Sequence, residues 1–225
     1  MNMKIDIKIP ETLNEIHLKQ YQKFDKLVKD NEPSEFVNQK TIEIFCNIDL
    51  KDVARIRLAD TDELLEHLGN LLNKKPKLIR TFKLGDYEFG FIPKLEDMTS
   101  GEYIDLENYL SDVATYHKAM AVLFRPIKTK VKDLYTIEEY QSSEVYAEFL
   151  QYMPLDVVLG CLVFFSTLTN DCVNGLMDFI HSEVEQSETA KKLLEKNGVG
   201  INQSTEQLKA TFYDLMQLPN FPSLN

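Results

Sequence analysis

Apolar and polar positions recur along the chain with two different periods. In MKIDIKIP the period is two. Ile5, Ile7 and Ile9 share one face and Lys4, Asp6 and Lys8 the other, which predicts a half-buried N-terminal strand closed by Pro10. The period then lengthens. Ile16, Tyr21, Phe24, Leu27 and Val28 outline one side of a helix over 15–29, NEPSE interrupts near Pro33, and a second helix is expected over 34–46. Asp49 is placed to cap a short helix. Asp60 is placed to cap a longer one, with Glu63 at capping-box spacing. Leu64, Leu65, Leu68, Leu71 and Leu72 would form its buried stripe before Pro76.

KLIRTFKLGDYEFGFIP returns to alternation around Gly85-Asp86 and predicts a tight β-hairpin, because such turns require positive φ. LEDMTSGEYIDLENYLSD, residues 95–112, then carries six acidic residues and no basic one. Thr99 and Glu102 have capping-box spacing, and acids are favoured in a first helical turn. Tyr103, Ile104, Leu106, Tyr109 and Leu110 fall on one side of this helix, while Glu102, Asp105, Asn108 and Asp112 fall on another, solvated side. The helix is expected to run on to Arg125, before Pro126. RPIKTKVKDLYTIEEY, crowded with Arg125, Lys128, Lys130 and Lys132, reads as a second hairpin or an exposed loop. A further helix is expected over 143–152. Pro154 suits the first turn of a long apolar helix over 155–184, in which Gly160 and Gly175 permit close packing or mark a kink.

The pattern adds up to an α+β fold, predominantly α-helical, with an N-terminal strand and one or two small β-hairpins. One main domain is expected over 1–184, with the hairpin near 78–93. The more polar segment 185–225 is expected to be a helical arm.

Charge narrows the function. The 225 residues include 36 acidic and 25 basic side chains, a net charge of −11, which disfavours a broad nucleic-acid surface or an anionic membrane. Cys46, Cys161 and Cys172 lack CxxC spacing and read as reduced core thiols of a cytoplasmic protein. MNMKIDIKIP carries no apolar signal stretch. The uncharged run 157–170 spans 14 residues, fewer than the roughly 20 of a membrane span, and reads as a buried helix.

Candidate chemistry is sparse. His17, His67, His117 and His181 are scattered over four expected helices, with no HExxH and no zinc-ligand spacing. Glu96, Asp97, Glu102, Asp105 and Glu107 offer carboxylates to Mg²⁺ or Ca²⁺ without EF-hand spacing. NGVGIN is a loop without the Lys of a phosphate cradle, and no GxSxG occurs. No cofactor is expected. Segregated charge points instead to protein docking, with Glu102, Asp105, Asp112, Arg125, Lys128 and Lys130 as candidates. Mutual neutralisation of these charges within one fold is the alternative.

Four segments, IPETLNEIHLKQYQKF, IRTFKLGDYEFGFIPKLEDMTSGEYIDLENYL, HKAMAVLFRPI and PLDVVLGCLVFF, together resemble small proteins of tailed bacteriophages of Bacteroidetes hosts, the crAss-like phages among them. The resemblance covers about residues 5–170 and supplies no site residues. It implies a non-enzymatic virion protein that acts by assembly, as a portal or tail-ring component or as virion cargo. The expected partners are portal, ring or tail proteins, or further copies of the chain. The expected location is the host cytoplasm during assembly and then the virion. Two alternatives stand beside it: a tail assembly chaperone absent from the finished particle, and a small metal-dependent hydrolase or nuclease using the acids at 96–107.

Overall fold

In the computed structural model, which describes residues 7–186, the N-terminal half is a set of short helices: α1 (Leu18–Asp30), α2 (Glu35–Cys46), α3 (Leu50–Val53) and α4 (Leu58–Leu72). Leu18, Tyr21 and Phe24 bury one side of α1, and the Phe24 and Phe45 rings lie 5.3 Å apart between α1 and α2. Ile42, Cys46, Val53 and Leu65 form a buried cluster, with Leu65, Leu68, Leu71 and Leu72 as the buried side of α4. Burying a Leu or Phe side chain removes apolar area worth about 1.5–3 kcal/mol, which helices this short need. Ser34 caps α2 by accepting from the Val37 N–H, and Asn47, with φ of 52°, ends it in the left-handed region.

Two expectations change here. Asp60 does not cap α4, which starts three residues earlier after Arg57. Asp60 instead sits in the first turn with its carboxylate on the Arg57 guanidinium at 2.6 and 2.8 Å. The N-terminal strand is absent from residues 7–10. Residues 4–6 of that expectation lie outside the described residues. Ile7 still packs against the Ile42 cluster, so the alternating pattern is used for burial without a partner strand.

The sheet has four antiparallel strands in the order β1 (Thr81–Leu84), β2 (Tyr87–Phe91), β3 (Phe124–Val131) and β4 (Leu134–Ile137). Leu84 faces Tyr87 across a two-residue turn whose Gly85 takes φ of 55°, a conformation glycine adopts without steric cost. Phe82, Phe89, Phe91 and Phe124 are buried, and Phe89 meets Tyr146 and Phe149 of α7 (Glu144–Leu150) with ring centroids 5.7 and 6.0 Å away. The edge-on Phe89–Tyr146 geometry matches the quadrupole preference of aromatic pairs.

The helix expected to run from Thr99 to Arg125 is broken in two. α5 (Ser100–Leu110) stops, a 3-10 turn covers Val113–Thr115, and α6 (Tyr116–Leu123) follows. The cause is side-chain competition for backbone groups. Asp112 accepts from the Ala114 N–H at 3.1 Å, and the Thr115 hydroxyl satisfies the Tyr109 carbonyl at 2.8 Å. Arg125 is therefore a strand residue, not the end of a helix.

α8 spans Leu155–Gln186. Gly160 lies where a Cβ would come within 2.4 Å of the Lys77 carbonyl oxygen, so its role is close packing; nothing crowds Gly175. The helix is buried through Leu162, half-buried over 163–166 and largely exposed beyond, so the buried run is shorter than the expected 157–170. Leu155–Gly175 is nonetheless long and apolar enough to cross a membrane by length and composition. The packing divides inside this helix: residues through Gly160 belong to one compact unit, and a second begins at Cys161. Residues 187–225, which hold most of the expected arm, lie outside the described residues. All three cysteines are free. Cys46 and Cys161 are buried, but Cys172 is exposed rather than a core thiol.

Candidate functional site

The six candidate docking residues do not share one surface. Glu102 and Arg125 are 4% and 8% exposed, and they pair with each other. Glu102 Oε2 also accepts from the Thr99 N–H at 2.7 Å and the Thr99 hydroxyl at 2.8 Å, which completes the capping box. The expectation that both residues face solvent is corrected. Arg125 occupies the inner end of β3, opposite Gly90, and α5 lays its first turn over it. Burial pushes the Glu102 carboxyl up, but the Thr99 N–H, the Arg125 guanidinium and the Thr99 hydroxyl together hold it below the usual carboxylate range.

Asp105 is the next member of this group. It accepts from the Tyr140 hydroxyl, and the Tyr140 ring lies 5.6 Å from the Arg125 guanidinium carbon. Burial and the Asp105 carboxylate push the Tyr140 phenol well above its usual range. Glu102, Arg125, Tyr140 and Asp105 thus form a polar knot at the base of the β3–β4 hairpin. Asp112 lies apart, on the Ala114 N–H and 3.5 Å from Lys29 Nζ.

Beyond the knot the hairpin continues as a two-stranded ribbon. β2 pairs with β3 only from Phe91↔Phe124 to Phe89↔Pro126, and past Pro126 the partner of β3 is β4 alone. Pro126 offers no N–H to extend the ladder. A two-stranded ribbon is marginal in water, and three contacts steady this one. Tyr135 packs where a Cβ on Gly90 would reach within 2.5 Å of its ring, and its hydroxyl donates to the Phe91 carbonyl at 2.8 Å. Lys130 pairs with Glu88. The Thr129 and Thr136 hydroxyls are hydrogen-bonded at 2.6 Å.

Val131 and Leu134, cross-strand partners on the face that also carries Thr129 and Thr136 and away from Lys130 and Tyr135, are 71% and 79% exposed. Lys132, in the turn with φ of 56°, follows Val131 directly, and Lys128 lies at a register irregularity of β3 three residues before Val131. Among the described residues neither lysine is ion-paired. Sequence reasoning found the lysines but missed Val131 and Leu134. The signal was present in KVKDL, two apolar residues flanking a two-residue Lys-Asp turn.

The carboxylates considered for metal chemistry do not converge on a site among the described residues. Glu102 is committed to Arg125 and Asp105 to Tyr140, and among the described residues no three His, Cys, Asp or Glu side chains approach closely enough to hold an ion. His67 Nε2 is 2.9 Å from the Pro10 carbonyl oxygen. His117 is buried, with Gln22 Nε2 3.0 Å from its Nδ1, and burial pulls its pKa below the usual value. The side chain of His181 lies outside the described residues.

Comparison with protein-family models, with curated proteins and with solved structures finds no match.

Proposed function

We propose that the protein acts by assembly, with the β3–β4 hairpin engaging a neighbouring copy of the chain, as a non-enzymatic component of a bacteriophage particle. The observation that carries the docking part is the hairpin's outer face. An apolar pair at its tip, flanked by lysines, projects from a ribbon anchored on a buried polar knot. Isolated exposed apolar residues are ordinary; a paired tip on an anchored ribbon is a contact element. A second copy offers Lys128 and Lys132 a local complement in the exposed carboxylates Glu96, Asp97 and Glu107, while the net charge of −11 on each copy opposes association. The phage setting rests on the resemblance of residues 5–170 to small proteins of crAss-like phages.

Light scattering on the purified chain tests this. At low salt the mass is expected to exceed the 26.1 kDa of one copy, and to fall toward it at about 1 M salt, where the Debye length is about 3 Å. Val131→Asp with Leu134→Asp should give the monomer at both salts. A parent chain that is monomeric throughout, or a variant that assembles unchanged, overturns docking through the hairpin. Peptide spectra of purified virions address the setting. Many copies per particle support a virion component; presence in infected cells with absence from particles identifies a tail assembly chaperone instead.

A further inference from the structure

Away from the hairpin, a cleft of about 540 Å³ opens between the start of α1, the end of α2 and the turn after α7. Its rim carries Lys8, Lys19 and Lys23 against a single carboxylate, Glu15. Such local positive excess is unexpected on a chain of net charge −11. It is also uncompensated: among the described residues none of the three lysines is ion-paired. Lys19 and Lys23 are four residues apart on α1, a like-charge spacing that destabilises a helix. The polar partner of Lys19 is the Tyr152 hydroxyl at 3.4 Å, with its ammonium 5.2 Å from the Tyr152 ring centroid.

The cleft is preformed. The Leu18 N–H donates to the Met153 carbonyl at 2.9 Å, the Lys19 N–H to the Gln151 carbonyl at 2.8 Å, and the Leu155 N–H to the Ile16 carbonyl at 2.8 Å. These bonds fix Lys19 opposite Tyr152. Gln20 closes the floor, accepting from the His17 N–H at 2.9 Å and donating to the Ile44 carbonyl at 2.7 Å. The first amides of α1 are consumed by these carbonyls, so any anion affinity here comes from the lysine side chains. Phe45 and Ile48 give the cleft an apolar wall, and the exposed Tyr152 ring gives it an aromatic one.

We infer that this cleft binds a small phosphorylated molecule with a flat aromatic body, of the nucleoside diphosphate class, with its phosphates on Lys8, Lys19 and Lys23 and its ring against Tyr152. The volume is in the range of small-molecule sites, and lysine is a common point-charge phosphate ligand.

Isothermal titration of the full chain with magnesium-free ADP, and separately with inorganic pyrophosphate, tests the inference. ADP is expected to bind with a Kd on the order of 100 µM, and pyrophosphate more weakly. Lys19→Gln with Lys23→Gln should weaken both by about tenfold or more. Tyr152→Ala should weaken ADP while leaving pyrophosphate unchanged. Lys8→Gln, outside every helix and strand, repeats the charge test without risk to the fold. Absence of heat with both probes at about 1 mM, or binding indifferent to all three lysine changes, overturns the site. ADP binding indifferent to Tyr152→Ala overturns the aromatic part. The mass in solution should not respond to these variants, so failure of the cleft and failure of the hairpin read out separately.

Discussion

Two ion pairs on one strand behave as opposites. Arg125 and Lys130 are five residues apart on β3, and each meets a glutamate, Glu102 and Glu88 respectively. The Arg125–Glu102 side chains are 9% and 5% exposed, those of Lys130–Glu88 40% and 32%. Water decides the difference. At the ribbon, solvent screens the pair and two flexible side chains lose entropy, so the net gain is about 0–1 kcal/mol. In the knot, both charges have left water, and each depends on the other. The inner pair therefore holds the base of the hairpin in one geometry, whereas the outer pair adjusts the surface of its tip.

The largest expected effect comes from breaking the inner pair. Glu102→Ala leaves a buried guanidinium without its carboxylate and removes the first-turn cap of α5; about 3–5 kcal/mol of unfolding free energy should be lost, measured by urea titration at neutral pH. The same carboxyl sets an acid response. Its pKa is lowered in the fold, so its contribution is present above the usual glutamate value of 4.5 and is lost as pH falls from there through the lowered value. Parent and variant stabilities should converge over that window. An equal gap between them at neutral pH and at pH about 3 contradicts the pairing.

Gly90→Ala sharpens the comparison at the join between knot and tip. Its Cβ would sit 2.5 Å from the Tyr135 ring, so the ring must leave and the Tyr135–Phe91 hydrogen bond goes with it. A loss of about 1–3 kcal/mol is expected, with faster amide exchange in β4 than in β1. Unchanged exchange in β4 would show that Tyr135 does not anchor the ribbon. The smallest effect belongs to the outer pair: Lys130→Ala should change stability by less than about 1 kcal/mol, and less still at high salt. A loss as large as that of Glu102→Ala would overturn the distinction between the pairs.

Periodicity made much of this fold legible. The buried leucine stripe of α4, the Gly85-Asp86 hairpin, the Thr99–Glu102 cap and the helix opening at Leu155 are local patterns, and the structure carries each of them. What failed locally was the reading of residues that have two uses. Asp112 and Thr115 are compatible with a helix face until their oxygens are seen to capture backbone groups and end α5. Asp60 satisfies a cap pattern yet lies in the first turn of α4, after an N-cap at Arg57 that takes its carboxylate.

The docking candidates show the same limit. The sequence by itself determined a mostly helical α+β chain with acidic and basic segments close together, because side-chain period and turn chemistry act over a few residues. It could not determine which charges face water. Only the tertiary structure decided that Glu102 and Arg125, 23 residues apart, bury each other while Lys128 and Lys132 stay outside, and that Val131 and Leu134 are left bare. It likewise gathered Lys8, Lys19 and Lys23 beside Tyr152, 129 residues beyond Lys23, into one cleft. Desolvation depends on what covers a residue, and the covering groups come from elements distant in the chain.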